Sequence, residues 1–247
     1  MLVHPSKGAM DSRSNKLASG RIVYDADLFS NADCEPDAKW FEAQYWEDKD
    51  RVIARPRGRG TALVVETPVG RAVLRQYLRG GWVARFARSR YLFTGYPRSR
   101  PFREFRVLEK LAELRLPAPK PVAGLCRRHG LSSSGALITL EIENVRPLVE
   151  RLEDMDEAAW KAVGACIRNF HDRGLVHADL TVRNILIQDG GDVFLVDFDR
   201  ARFNEGATRP FRRNLERLQR SLRKAWLEDH LDMDETAWTH LLIGYES

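Results

Sequence analysis

Apolar positions along the chain change period several times, and each change marks an element. Ala62, Leu63, Val64 and Val65 form one apolar run, and Ala72, Val73, Leu74 and Tyr77 form another. The turn Thr67-Pro68-Val69-Gly70 lies between them, so strands are expected at 62–66 and 71–77, joined as a hairpin. Over 102–114 the period becomes helical, with Phe105, Leu108, Leu111 and Ala112 on one face. Pro117, Pro119 and Pro121 stop that helix, because proline has no N–H to donate. Two strands are expected at 122–127 and 136–142, around a turn at His129-Gly130. A helix follows at 156–172, apolar at Ala159, Trp160, Val163, Ile167 and Phe170. Ile185, Leu186 and Ile187, the tight turn Asp189-Gly190-Gly191-Asp192, and Val193 to Val196 predict a second hairpin. Helices at 209–228 and 234–243 complete the pattern. Toward the start, 21–28 reads as an edge strand and 37–48 as a short amphipathic helix. Its aromatics Trp40, Phe41, Tyr45 and Trp46 are read as core, the alternative being a membrane-facing patch.

Strands first and helices afterwards predict an α+β chain: an antiparallel sheet with one helix, then a short, mostly helical lobe. The expected division is 1–20 as a polar, disordered segment, 21–143 as the first lobe and 144–247 as the second. Length (247 residues), 43% apolar content and 30% charge are ordinary for a soluble globular protein. No apolar run reaches the ~18 residues needed to cross a bilayer, and the first twenty residues lack the apolar core of a signal peptide. Cys34, Cys126 and Cys166 are odd in number and lack C-x-x-C spacing, so no chemistry is assigned to them.

Charge adds an asymmetry. The net +5 conceals fourteen arginines at 51–106 against only Glu66 and Glu104, and a second basic run at 202–224. Such clusters suit nucleic acid, anionic lipid head groups or phosphorylated sugars, or form a solvated surface. No nucleic-acid recognition motif accompanies them. Residues 79–100 mix Trp82, Tyr91, Tyr96 and arginines, and read as a segment that docks on substrate or membrane.

Candidate chemistry lies around the second hairpin. His177, Asp179 and Asn184 stand at H-x-D-x-x-x-x-N spacing, and Asp197, Phe198 and Asp199 directly follow the returning strand. Phosphoryl transfer needs such a set: one carboxylate to accept or orient the attacking hydroxyl, and an amide oxygen with a second carboxylate to hold Mg²⁺ on the phosphates. At these residues the sequence resembles the protein-kinase-like superfamily. The resemblance implies a two-lobe kinase fold, Asp179 as catalytic base, Asn184 and Asp197 as metal ligands, and His177 as support for the loop. The turn carrying Gly58 and Gly60 would lay backbone N–H groups over nucleotide phosphates. Arg75 stands where a strand lysine is expected; its planar fork can grip phosphate oxygens. Glu104 is the first candidate for its helix partner and Glu109 the second. Glu141 opens the hinge at 141–144, where backbone groups would hold adenine. Arg183 either stabilises charge on the base or γ-phosphate or forms a structural ion pair, and His171 is read as a helix-end residue. Asp199 either binds a second metal or caps the following turn.

D-F-D replaces D-F-G, no A-P-E follows, and only about fifty residues remain after Asp199. A peptide-docking lobe has no room. The segments R-G-R-G-T, V-L-R-Q-Y-L-R-G-G-W, R-Y-L-F-T-G, F-R-E-F-R-V-L, H-A-D-L-T-V-R-N-I-L and L-V-D-F-D-R-A resemble the 3-deoxy-D-manno-octulosonic acid (Kdo) kinases of Gram-negative bacteria. That resemblance spans 58–203 and implies transfer of phosphate from ATP, with Mg²⁺, to a Kdo hydroxyl on Kdo–lipid A. It also implies peripheral work against the anionic cytoplasmic face of the inner membrane. The alternatives are a heptose or other small-molecule kinase on the same fold, a protein kinase, and a non-enzymatic lipopolysaccharide-binding module.

Overall fold

The computed structural model describes residues 10–247 except 31, 33, 57–61, 78–90, 205–207 and 229–234. Gly58, Gly60 and the greater part of the 79–100 segment therefore lie outside the described residues. The chain forms two compact units, one of residues 1–109 with 120–141 and the other of 110–119 with 142–247.

The first unit is built on an eight-stranded antiparallel sheet. Its strands are β1 (Ser12–Leu17), β2 (Gly20–Asp25), β3 (Val52–Ala54), β4 (Ala62–Thr67), β5 (Gly70–Gln76), β6 (Tyr91–Leu92), β7 (Pro121–His129) and β8 (Ser132–Leu140). The order is β1-β2-β7-β8-β5-β4-β3, and β6 also pairs with β8. The hairpin expected around Thr67 is β4–β5, with Thr67 opposite Gly70 and Ala62 opposite Arg75. Gly70 has φ of +115°, a left-handed conformation that costs glycine little. The turn at His129-Gly130 likewise joins β7 to β8.

Three expectations for the start of the chain need correction. Ser12–Leu17, expected within a disordered segment, is a strand paired along its length with β2. It is polar and mostly exposed, as an outer strand can be, and so shows no apolar alternation. The next strand is accordingly interior to the sheet and ends at Asp25, whose side chain caps helix α1 (Ala26–Phe29). Buried Asp25 also pairs with Lys120 (3.2 Å). Third, the helix expected at 37–48 is two short turns, a 3₁₀ turn at Ala38–Phe41 and α2 at Ala43–Glu47, separated by extended backbone at Glu42. The core reading of its aromatics holds for Trp40, Phe41 and Trp46, which are buried with Ile22, Leu74 and Ile138. The Trp46 indole donates to the Trp40 carbonyl (2.7 Å), so the polar edge of the largest side chain is satisfied within the core.

Helix α3 (Arg100–Glu113) buries Phe105, Leu108 and Leu111. The second unit holds α4 (Glu157–Asp172), α5 (Thr208–Glu228) and α6 (Glu235–Glu246), with five short strands. Asp156 caps α4 by accepting from the Ala159 N–H (2.8 Å). The expected hairpin is β11 (Ile185–Gln188) with β12 (Val193–Leu195), turned at Gly191 (φ +91°). Strand β9 (Val145–Pro147), which the apolar pattern does not reveal, pairs on the other side of β11. Strands β10 (Leu175–Val176) and β13 (Arg202–Phe203) also pair.

Helices α4 and α6 pack backbone against backbone. A methyl group on Gly164 would overlap the Leu241 carbonyl and lie 2.7 Å from the Tyr245 nitrogen. One on Gly244 would lie 2.6 Å from Lys161 Cα. Glycine in a helix interior costs about 1 kcal/mol relative to alanine. Here that cost permits an approach that no side chain would allow.

Candidate active site

Within the second unit the loop after β10 is held from both sides by buried groups. His177 is buried, and its two ring nitrogens have partners of opposite kind. The Asp179 backbone N–H donates to Nδ1 (3.2 Å), and Nε2 lies 3.0 Å from the Val196 carbonyl. An N–H can only donate and a carbonyl can only accept, so His177 is neutral with its proton on Nε2. Burial lowers its pKa, which favours that same neutral form. The ring also packs on Phe198 (5.0 Å between centroids), which stacks on Phe170. The expected supporting role of His177 thus has a geometry: it ties residue 179 to residue 196.

Val196 is bonded at both ends, for its N–H donates to the Asn184 carbonyl (3.0 Å). Together with the pairing of Ile185 opposite Leu195, this sets Asn184 beside Val196, with Asp197 next in the chain. The Asn184 side-chain Nδ2 donates to the Asp179 carbonyl (2.8 Å), which orients the amide. Asp197 has φ of +70°, a left-handed conformation sparsely populated by non-glycine residues. Such backbone persists where surrounding structure holds it, and it clusters at functional sites. Among the described residues no group of three or more His, Cys, Asp or Glu side chains could hold a metal. Asn184 and Asp197 instead supply one neutral and one charged hard oxygen. That set fits Mg²⁺, which is bound by one or two carboxylates and completed by phosphate and water. Asp179 itself is about half exposed, with Arg217 Nε 3.3 Å from its Oδ1.

The support continues into α5 and α6. Asn214, buried on α5, accepts from the His177 N–H (2.9 Å) and donates to the His177 carbonyl (2.7 Å). The same Oδ1 lies 3.3 Å from His171 Nε2, and His171 Nδ1 lies 2.8 Å from the Tyr245 hydroxyl. Since the Asn214 oxygen only accepts, His171 donates through Nε2 and receives the Tyr245 proton at Nδ1. His171 is therefore also neutral, and burial takes its pKa to about 4. It does more than end a helix: it links α4, α5 and α6 to the loop carrying His177.

Both histidines make stability depend on pH. Each titrates near ~6.5 in the unfolded chain and lower when folded, so below that pH the unfolded state binds protons that the native state refuses. Stability then falls as pH drops from about 6.5 towards 4, by up to ~1.4 kcal/mol per pH unit for each histidine. Thermal unfolding at pH 7.5, 6 and 5 checks this; a midpoint that stays level across the series would contradict it.

Arg183 pairs with Glu228 of α5 (3.6 Å) at an exposed site, where such pairs contribute little. Cys166, whose thiol burial pushes up to about 12, and Cys126, shifted in the same direction, are protonated at neutral pH. The cysteines are all free thiols.

In the first unit, Arg75 of β5 is joined to Glu104 of α3, with Glu104 almost fully buried. Tyr77, which the sequence reading passed over, donates its hydroxyl to the other Glu104 oxygen (2.5 Å). The guanidinium groups of Arg75 and Arg100 lie 5.5 and 4.8 Å from the Tyr77 ring centroid. The first-named candidate, Glu104, is thus the partner of Arg75. Glu141 pairs with Arg71 (2.6 Å), and its backbone N–H donates to the Arg71 carbonyl (2.9 Å).

A family model described as "Lipopolysaccharide kinase (Kdo/WaaP) family" matches residues 43–245. The chain belongs to that family. It is 45% identical over 206 residues to the 3-deoxy-D-manno-octulosonic acid kinase of Xanthomonas oryzae pv. oryzae strain PXO99A, covering 83% of this chain and 81% of the relative. The protein of the same name from Xanthomonas campestris pv. campestris strain B100 is 43% identical over 206 residues, with the same coverage. That of Stenotrophomonas maltophilia strain R551-3 is 41% identical over 228 residues, covering 92% and 90%. The α+β fold is accordingly kinase-like.

Asn214 is the support that sequence reasoning missed. The available signal was an asparagine on the face that also carries Leu218, Leu222 and Ala225 of α5, all buried. A polar group there requires partners.

Proposed function

We propose that this protein transfers the γ-phosphate of ATP to a hydroxyl of Kdo, carried on Kdo–lipid A, during assembly of the lipopolysaccharide inner core. The observation that carries the reading is the loop in which His177 ties Asp179 to Val196 while Asn184 is pinned to both. In this reading Asp179 receives or orients the proton of the attacking hydroxyl as it develops charge. Asn184 and Asp197 present oxygens to Mg²⁺, which when bound neutralises charge on the nucleotide phosphates. Arg75, held by Glu104, faces the nucleotide. The glycines Gly58 and Gly60 and the hinge beginning at Glu141 contribute backbone groups to it. Arg183, four residues after the base, balances charge around the transferring phosphate.

Lipid A places the acceptor at a membrane. On this reading the protein works peripherally on the anionic cytoplasmic face of the bacterial inner membrane. No helix among the described residues is long and apolar enough to cross a bilayer, and arginine-rich surfaces suit such a face. The test is phosphate transfer from labelled ATP and Mg²⁺ to Kdo–lipid A, a heptosylated core and a generic protein, offered side by side. Label on Kdo is expected. Label on heptose or protein would reject the acceptor while leaving phosphoryl transfer intact.

A further inference from the structure

Helix α5 carries more charge than its supporting role requires, and the charge is ordered. Arg209, Arg213, Arg217, Arg220 and Lys224 recur at spacings of four, four, three and four, which places them on one stripe of the helix. Its opposite side, with Asn214, Leu218, Leu222 and Ala225, is buried. The first-to-last span of the stripe is about 22 Å at ~1.5 Å per residue. Among the described residues no acid pairs with Arg213 or Arg220, while Arg212, off the stripe, is neutralised by Glu216 (3.3 Å).

Arg217 stands at the middle of this stripe and beside the candidate base. Its Nη1 faces the Ala178 carbonyl (3.4 Å). Its Nε is 3.3 Å from Asp179 Oδ1, yet it is shielded from solvent and makes no aligned hydrogen bond. Nη2 has no partner among the described residues. The side chain is nonetheless 43% exposed, so Arg217 is anchored at Nη1 and still reached by solvent. A guanidinium in this state is prepared for a carboxylate, which it grips with charge-assisted hydrogen bonds. It also solves an electrostatic problem. An acidic acceptor must approach both the Asp179 carboxylate and a triphosphate, and unscreened like charges in one site repel.

We propose that Arg217 is the specificity residue for the acceptor: it binds the carboxylate of a sugar acid next to Asp179, with Arg213 and Arg220 extending the positive field. This rests on the Kdo reading, and deepens it by assigning the group that separates a sugar acid from a neutral sugar. Arg217 also touches the base, so an absolute loss of rate on replacing it would be ambiguous. The ratio between two acceptors is not.

The experiment compares Kdo–lipid A with the same acceptor methyl-esterified at the Kdo carboxylate, using wild type, Arg217→Gln and Arg223→Gln. Arg223 is exposed on α5, off the stripe. Wild type is expected to favour the free acid by about tenfold to a hundredfold in kcat/KM, the worth of a hydrogen bond to a charged group. Arg217→Gln should reduce that ratio to near one, chiefly through KM for the acid, and Arg223→Gln should retain it. Unchanged discrimination in Arg217→Gln, or a wild type indifferent to esterification, would overturn the assignment while leaving the Kdo reading intact. Failure of wild type to phosphorylate either acceptor would overturn both.

Discussion

Replacing Asp179 with asparagine is expected to lower kcat for phosphate transfer by about a hundredfold to ten-thousandfold, the usual weight of a positioned proton acceptor. Nucleotide binding should be nearly unchanged. The loop does not depend on the Asp179 carboxylate, since its restraints run through the Asp179 backbone N–H and carbonyl. Asp197→Asn should behave differently. Asparagine tolerates the left-handed backbone at that position, so the variant removes charge without adding strain. It should weaken Mg²⁺-dependent nucleotide binding and have little effect on binding without the metal. Calorimetric titration with nucleotide, with and without Mg²⁺, alongside single-turnover transfer separates the two. Equal loss of nucleotide binding in both variants would overturn the division of roles.

Gly164→Ala is expected to destabilise the second unit by about 3 kcal/mol or more. Ordinarily the exchange would favour a helix by about 1 kcal/mol, so the sign of the result is itself diagnostic. The added carbon would meet the backbone of Leu241, Gly244 and Tyr245, not a side chain that could rotate away. Helix α6 must retreat, uncovering Leu241 and Ala237 and breaking the Tyr245–His171 contact. Gly190→Ala, where a methyl group would meet nothing within 4 Å, serves as the control. Urea unfolding of both variants measures the difference; a Gly164→Ala protein as stable as wild type would refute the close packing.

What could be read from the sequence was local or periodic. His177, Asp179 and Asn184 lie within eight residues, and a hairpin of alternating apolar residues brings Asp197 back to them. Arg75 and Glu104 are 29 residues apart; their periods gave the strand and the helix, but only the resemblance to kinases suggested that the two residues pair. Asn214 is 37 residues from the backbone it clamps; its place on the apolar face of α5 signals that it needs a partner, but nothing local says which. The need for glycine at 164 is not legible locally, because its reason lies about eighty residues away on α6. Strand β1 was missed for the opposite reason: an outer strand with nothing to bury has no apolar pattern to display.

The chain of contacts from Tyr245 through His171 and Asn214 to His177 also has a consequence for synthesis. His171 and Tyr245 are 74 residues apart, an interval of roughly 4–15 s at bacterial elongation rates of ~5–20 residues per second. The sheet of the first unit has all its strands once β8 has emerged, but the loop carrying His177 and Asp179 emerges before α5 and α6. His171 and His177 spend those seconds without Asn214 and Tyr245, free to take up protons and exposed to solvent. The loop therefore acquires its last support only when α6 docks against α4.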